Sequence, residues 1–258
     1  MLKDSIAIIK RHLTAYLVTF SVFFGLEFIY SKLGATVPGG WIGQFCFAYL
    51  LGKAMSSVIF PNNTSPRGID SREKKHFQWL YPSYFLKYFL LMTLAKVTAA
   101  GFTYSLGYRD PDSTRFLMAS FIFSTLFVSL ALGLAGTWLP AGIGLADNSF
   151  LKTIRRAKMT FPGVFFRVLL SLVFVNVLIE GVSWGISLAA KDVADAPVLG
   201  KAFSVQHIAE VITFFWLNAL FVTYIAVVIA RAYLRAEQSL SPTRHASASP
   251  MDGADGIA

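Results

Sequence analysis

The chain has 258 residues, of which 55% are hydrophobic and only 14% are charged, and it carries 23 Lys and Arg residues against 14 Asp and Glu residues. Because an ordinary soluble domain contains about a quarter charged residues, this composition excludes a disordered protein and a soluble globular domain. With a single cysteine, Cys46, the chain also excludes a scaffold built on internal disulfides. The composition predicts an integral membrane protein that crosses the bilayer several times.

A helix of about 20 apolar residues crosses the hydrocarbon core of a bilayer. Stretches of that length and character run over residues 13–33, 41–60, 82–104, 116–139, 164–189 and 207–230. The sequence therefore predicts an all-α fold, a polytopic membrane helix bundle with about six transmembrane helices in one domain, residues 1–235. Residues 236–258 are rich in Ser, Pro, Ala, Asp and Gly, which predicts a disordered cytoplasmic tail.

Two segments outside these spans are basic and amphipathic. In the N-terminal arm, apolar residues recur at helical spacing from Leu2 to Leu13. Residues 149–161 mix apolar and basic side chains, and the Pro162–Gly163 pair is expected to end this helix before the fifth span. Both segments are predicted to lie on the membrane surface, with a solvated basic loop as the alternative. The residues expected to contact lipid headgroups are Lys152, Arg155, Arg156 and Lys158.

The basic residues are divided unequally between the two sides of the predicted membrane. One side receives 14 of them: Lys3, Lys10, Arg11, Arg67, Arg72, Lys74, Lys75, Lys152, Arg155, Arg156, Lys158, Arg231, Arg235 and Arg244. The other side receives five: Lys32, Arg109, Arg115, Lys191 and Lys201. Because cytoplasmic loops carry the excess of Lys and Arg, both termini are predicted to be cytoplasmic.

A family resemblance lies around the end of the fourth span. Residues 138–141 read Trp-Leu-Pro-Ala, residues 147–151 read Asp-Asn-Ser-Phe-Leu, and Ala157 and Gly163 follow. This pattern resembles loosely related six-helix bacterial inner-membrane proteins of uncharacterised function, including the membrane domain attached to some glycerophosphodiester phosphodiesterases. The resemblance implies a six-helix fold in the bacterial inner membrane. It implies no activity, because the sequence has no segment long enough for a phosphodiesterase domain and no metal constellation of His, Glu and Asp.

Motifs of soluble enzymes are absent from the sequence. There is no Walker P-loop, no HExxH zinc site and no Gly-x-Ser-x-Gly nucleophile elbow. His207 and Glu210 share a helix face, but no further His or Cys lies near them, which favours a polar cap at the interface over a metal site. The sequence therefore predicts no enzyme, no metal and no cofactor. A membrane enzyme acting on lipid is the weakest hypothesis.

Several polar residues lie inside the predicted spans, and counting 1.5 Å per residue gives their depth. A charged side chain that faces lipid is costly. These residues therefore predict a polar pocket that opens outward and binds a cation, a proton or a polar substrate. The residues of this candidate pocket are Glu27, Lys96, Glu180, His207 and Glu210 in the outer half, and Asn176 and Asn218 nearer mid-depth. The two asparagines are placed to hydrogen-bond to each other between the fifth and sixth spans.

The same charged residues also have structural explanations. The outer carboxylates would pair with Lys96 or reach interfacial water. Lys53, Lys87 and Arg167 would extend along their spans to the inner headgroups. The many Phe residues are interpreted as lipid-facing.

The first functional hypothesis is a small transporter-like or permease-like protein that uses the outer acids. The alternative is a non-catalytic membrane scaffold or accessory subunit whose basic helices bind lipid or a partner protein. Membrane lipids are predicted partners in both cases, with a homo-oligomer or a partner membrane subunit as further candidates. Nucleic acid is not expected, because topology and anionic headgroups explain the surplus of basic residues.

Overall fold

The computed structural model of the chain describes residues 1–32, 39–61, 71–108, 110, 113–143, 149–189 and 205–240. The regular elements of these residues are all helices, which confirms the predicted all-α fold. The helices are α1 (Leu2–Arg11), α2 (Leu13–Lys32), α3 (Gly39–Ile59), α4 (Ser71–Ser105), α5 (Thr114–Ala135), α6 (Trp138–Ile143), α7 (Phe150–Ala189) and α8 (Val205–Leu240).

Several of these helices are long and apolar enough to cross a membrane. Four described segments qualify by length and composition: Ser83–Ser105, Thr114–Ala135, Leu151–Leu188 and Ile208–Leu240. A fifth is added if α1 and α2 count together as one span bent by 80°. Helices α2 and α3 are 20 and 21 residues long, which is close to one bilayer crossing. The structure thus supports a membrane helix bundle, and the count of six spans stays a prediction.

The long helices pack side by side in the order α4, α5, α7, α8 and α3. Helix α8 lies against α3 on one side and α7 on the other, α7 packs on α5, and α5 packs on α4. The apolar window of α8 is 44% buried and that of α7 only 17%, so α8 is central and α7 lies at the periphery. Contacts between α3 and α4 are sparse, and the short helix α6 lies between them.

Close approach of the helices depends on small residues at two contacts. A Cβ atom on Gly133 of α5 would lie 3.0 Å from the ring of Phe161 on α7. A Cβ atom on Gly52 of α3 would lie 3.0 Å from the ring of Tyr84 on α4, whose hydroxyl donates a 3.0 Å hydrogen bond to the carbonyl of Ala48. Glycine permits such packing because it presents no side chain to the neighbouring helix.

Both termini of the described bundle meet at one end, which we call the basic end. There, Asp4 of α1 lies 3.2 Å from Arg231 of α8, and Arg11 donates a 3.0 Å hydrogen bond to the carbonyl of Pro61 after α3. The start of α7 and the end of α8 are joined at the same end by the pair Arg156–Glu237. The opposite end is called the far end below.

Helix α6 closes the core at the basic end. Its residues 139–143 are all buried, and it contacts α3, α4 and α8. Leu139 and Ile143 belong to the main hydrophobic core, together with Leu51, Leu132 and Ile225 from three of the long helices. The Trp-Leu-Pro-Ala part of the motif that carried the family resemblance therefore lies in this short helix, and Leu139, Pro140 and Ala141 are buried.

The predicted helix break at Pro162 and Gly163 is wrong, because α7 runs without interruption over 40 residues with Pro162 inside it. Proline removes one backbone hydrogen bond and crowds the preceding turn. Pro162 and Gly163 are exposed, however, while Ala157 and Val164 on either side are buried against the bundle. Packing of that inner face holds the helix together across the proline. Residues 150–161 are thus the first turns of α7, and α1 is the separate amphipathic helix.

Candidate functional site

Two cavities lie one above the other inside the bundle. The outer cavity, nearer the far end, has a volume of about 580 Å³ and is lined by residues of α2, α3, α4, α7 and α8. The inner cavity has a volume of about 310 Å³ and is lined by residues of α3, α4, α5, α7 and α8. Both volumes lie at or above the lower limit for small-molecule sites. Four residues line both cavities: Gln44, Phe47, Lys96 and Asn218.

Four predicted pocket residues line the outer cavity. Glu27 comes from α2, Lys96 from α4, and Glu210 and Asn218 from α8. Residues four apart share a helix face, which explains why Glu210 and Asn218, eight residues apart on α8, line the same cavity. On α4, Lys96 continues the face of Tyr88 and Met92, which line the inner cavity.

An aromatic cluster sets the rotation of α2 and so the position of Glu27. Phe23, one turn before Glu27, is 4% exposed, and its ring centroid lies 5.6 Å from that of Phe215 and 6.4 Å from that of Phe47. Phe23 and Phe47 themselves line the outer cavity. These rings were expected to face lipid, and instead they form a wall of the cavity. Ring pairs at such distances are a favourable arrangement.

Glu27 and Lys96 do not pair with each other. Within the part of the chain that the structure describes, neither makes an ion pair within 4.0 Å or a side-chain hydrogen bond. The structural explanation that Lys96 neutralises Glu27 therefore does not hold in this arrangement. The outer cavity presents a carboxylate and an ammonium group from two different helices, more than 4.0 Å apart.

Glu180 lies outside this group. Its side chain is exposed on α7, and it lines neither cavity, although Ile179 and Ser183 line the outer one. Each residue advances about 100° around a helix, so Glu180 points away from the face of Ile179. The depth of Glu180 along its span was therefore not enough to assign it to the pocket, because the rotation of the helix decides which way the side chain points. The side chain of His207 lies outside the described residues.

The two asparagines hydrogen-bond within their own helices. Asn176 donates to the carbonyl of Leu172 at 2.7 Å, and Asn218 donates to the carbonyl of Phe214 at 2.8 Å. The predicted bond between the fifth and sixth spans is therefore not formed by these amide donors. A carbonyl one turn back is the nearest acceptor for a short polar side chain on a helix. Both residues still line the inner cavity.

Lys87 does not extend to the headgroups, as the structural explanation expected. It is 8% exposed, and its Nζ lies 4.9 Å from the ring centroid of Trp138. No hydrogen-bond partner for Nζ lies among the described residues. Helix α6 folds back over α4 and places Trp138 on the ammonium group, a cation–π contact. The sequence interpretation missed this pair because the fold-back of α6 brings together residues 51 positions apart.

The expected headgroup residues separate into two groups. Arg155 and Lys158 are exposed and Lys152 is half-buried. Arg156 is fully buried, its Nε lies 2.5 Å from Glu237 Oε1, and its guanidinium lies 5.3 Å from the ring centroid of Tyr233. The prediction that Arg156 contacts lipid headgroups is therefore wrong, because this residue faces α8.

The described residues offer little for metal or covalent chemistry. No group of three or more His, Cys, Asp and Glu side chains gathers among them. Cys46 is buried. The outer cavity is suited instead to binding a charged or polar ligand between its carboxylates and its ammonium group. Comparisons of the chain with protein-family models, curated proteins and solved structures find no significant match.

Proposed function

We propose that this chain is a transporter-like membrane protein that binds a small charged solute in the outer cavity. The observation that carries the proposal is the pair of opposite charges, Glu27 and Lys96, that line one cavity without pairing. A charged side chain near the centre of a span costs about 2.5–3.5 kcal/mol on membrane insertion. Ionisable residues within predicted spans, such as half-buried Glu27 and exposed Lys96, are therefore candidates for a solute or ion pathway.

The arrangement of the cavities supports transport over a surface receptor role. The outer and inner cavities follow each other along the bundle and share four lining residues. Below them, the buried helix α6 closes the core at the basic end. A site that is closed on one side and lies between helices is what alternating access requires.

The proposed location is the inner membrane of a bacterium, with the basic end in the cytoplasm. Described basic residues at that end include Lys3, Lys10, Arg11, Lys152, Arg155, Lys158 and Arg235. An excess of Lys and Arg is typical of the cytoplasmic side. The outer cavity would then lie toward the periplasm.

The test is uptake into proteoliposomes of a cation, choline, and of three zwitterions: glycine betaine, phosphoethanolamine and lysophosphatidylethanolamine. We expect at least one compound to be accumulated by the wild type. Glu27→Gln is expected to reduce its uptake about tenfold or more, the equivalent of 1.4 kcal/mol. Glu180→Gln is the matched control, because Glu180 is a carboxylate of the same layer that lines neither cavity.

Two outcomes would overturn the proposal. Uptake of none of the four compounds would contradict transport of a charged solute. Equal uptake by the wild type and Glu27→Gln would show that the outer cavity is not the site. Melting temperatures of the purified variants separate loss of binding from loss of folding.

The alternative function, a membrane scaffold, is favoured by the position of α1. This helix is bent by 80° from α2 and exposes Lys3, Lys10 and Arg11, a geometry suited to the surface of an anionic leaflet. Reversing these three residues to Glu is expected to abolish binding of anionic vesicles or of a partner subunit if α1 is the functional element. Unchanged solute uptake by the same variant would assign α1 a role outside transport.

A further inference from the structure

The two cavities differ in the groups that they present to a ligand. The outer cavity is lined by two carboxylates, Glu27 and Glu210, and by Lys96. Among the residues that the structure describes, no acidic side chain lines the inner cavity, and Lys96 lines both cavities. The described carboxylates that a ligand meets therefore belong to the outer cavity alone.

The inner cavity is mainly apolar. The amide nitrogens of Asn176 and Asn218 donate to carbonyls of their own helices. Gln44, Tyr88, Ser124 and Thr125 add polar groups to the lining, but most of the other lining side chains are aliphatic or aromatic, among them Leu132, Val222 and Ile225. Apolar groups are driven into such a space by their removal from water, and a charged ligand group that finds no partner there is disfavoured.

The outer cavity carries the charge pattern of a zwitterion receptor. Glu27 on α2 and Lys96 on α4 line it from separate helices, more than 4.0 Å apart. A ligand with an ammonium group and an anionic group can contact both a carboxylate and Lys96, whereas a simple cation has no group for Lys96. Opposite charges that line one cavity therefore favour a ligand that carries both signs.

We propose that the ligand is a zwitterionic amphiphile with one apolar chain. Its ammonium group lies toward Glu27, its anionic group lies toward Lys96, and its chain enters the inner cavity past Asn218, which lines both spaces. This assignment rests on the proposed function, since it names the class of solute that the outer cavity takes. It predicts that head and chain contribute to affinity through different residues.

The experiment measures binding to the full chain in nanodiscs of phosphatidylglycerol, a lipid without an ammonium group. The probes are lysophosphatidylethanolamine, its head alone as phosphoethanolamine, and dodecylammonium, which has a chain and a cation but no anion. We expect lysophosphatidylethanolamine to bind about tenfold or more tightly than either other probe.

Variants assign each part of the ligand to its cavity. Val222→Phe fills the inner cavity and is expected to remove the advantage of lysophosphatidylethanolamine over phosphoethanolamine while leaving binding of the head unchanged. Lys96→Met is expected to weaken lysophosphatidylethanolamine about tenfold and not to weaken dodecylammonium, which has no anionic group for Lys96. Val128→Phe, from α5 instead of α8, repeats the inner-cavity test if Val222→Phe does not fold. Glu180→Gln is the control for every probe.

The outcomes separate this inference from the proposed function. If phosphoethanolamine binds as tightly as the amphiphile and Glu27→Gln weakens it, the amphiphile is wrong and the charged-solute site stands. If dodecylammonium binds as tightly as lysophosphatidylethanolamine, the ligand is a cationic amphiphile and the zwitterion is wrong. If no probe binds, or if Glu27→Gln changes nothing, both proposals fail.

Discussion

Arg156 and Lys87 are buried cations that the bundle stabilises in different ways. Arg156 is paired with the carboxylate of Glu237 and lies near the ring of Tyr233. Lys87 lies on the ring of Trp138, and no hydrogen-bond acceptor for its Nζ lies among the described residues. Each pairing joins elements that are distant in the chain. Both residues therefore contribute to the packing of the basic end, where sequence analysis assigned them to the lipid surface.

The Arg156–Glu237 pair is expected to hold the start of α7 on the end of α8. Glu237→Leu leaves the buried guanidinium without its carboxylate and should lower the free energy of unfolding by about 3 kcal/mol. The double variant Arg156→Met with Glu237→Leu should recover most of this loss, because no unpaired charge remains. Arg155→Ala, at the exposed neighbouring position, is the control. Thermal melting of the purified variants measures the effect, and a double variant no more stable than Glu237→Leu would contradict it.

A second residue prediction concerns His12, which lies at the bend between α1 and α2. Its Nε2 lies 2.7 Å from Ser57 Oγ of α3. Burial lowers the pKa of His12, and the charges of Lys53 and Arg11 lower it further. The folded state therefore takes up the proton less readily than the unfolded state, in which the pKa is about 6.5. The contribution of neutral His12 to the stability of the fold is therefore fully present above pH 6.5. This contribution is lost as the pH falls from there toward the pKa of His12 in the folded state.

This loss is expected to be absent from His12→Gln, which keeps a polar side chain beside Ser57 but does not titrate. Melting temperatures of the two proteins between pH 5 and 8 provide the measurement. As the pH is lowered, the melting temperature of the wild type should fall relative to that of His12→Gln. Parallel curves across this range would show that His12 does not contribute to the pH dependence.

At the scale of elements, α7 changes the interpretation of the segment before the fifth span. Its 40 residues extend about 60 Å at 1.5 Å per residue, twice the thickness of the hydrocarbon core. We therefore expect one end of α7 to project beyond the membrane. Its first turns carry Arg155 and Lys158 on the exposed side and Arg156 toward α8. The basic surface of this segment is therefore part of a long helix of the bundle. The helix that lies at a steep angle to the span after it is α1, which is bent by 80° from α2.

The continuity of α7 predicts a distance between spin labels at positions 155 and 170, which are both exposed. A continuous helix separates their backbones by about 22 Å. A right-angled bend at Pro162 would reduce this to about 16 Å on the same rise per residue. Pulsed electron resonance in nanodiscs distinguishes the two values. Pro162→Ala should leave the distance unchanged and raise the melting temperature, because proline is unfavourable inside a helix.

At the scale of the whole molecule, the ends of the bundle differ in charge. The basic end joins α1, the start of α7 and the end of α8, and it is closed by α6. The acids and Lys96 that line the outer cavity lie toward the far end. Because cytoplasmic loops carry the excess of basic residues, this difference predicts that the basic end faces the cytoplasm.

The orientation can be tested by cysteine labelling in intact cells, in a background in which Cys46 is replaced by Ala. Thr114 at the far end and Lys158 at the basic end are both exposed. A membrane-impermeant maleimide is expected to label Thr114→Cys and to label Lys158→Cys only after the cells are lysed. Labelling of position 158 alone in intact cells would reverse the proposed topology.

The sequence by itself determined the all-helical fold of this protein with its long apolar helices, and it predicted the bilayer as solvent and the depth of the charged residues. Long apolar runs without interruption form helices, because backbone polar groups in lipid must be satisfied within the segment. Depth follows from the same runs, because the rise per residue is constant. Glu27, Lys96 and Glu210 were assigned to one layer on this basis, and they line one cavity.

The tertiary structure decided the rotation of each helix, the continuity of α7 and the long-range pairs. Rotation depends on packing against neighbours, which is why Glu180 points away from a cavity that its neighbour Ile179 lines. Packing of Ala157 and Val164 carries α7 past Pro162, although local preference alone ends a helix there. The pairs Arg156–Glu237 and Lys87–Trp138 join residues 81 and 51 positions apart, and only folding of the whole chain brings such residues together.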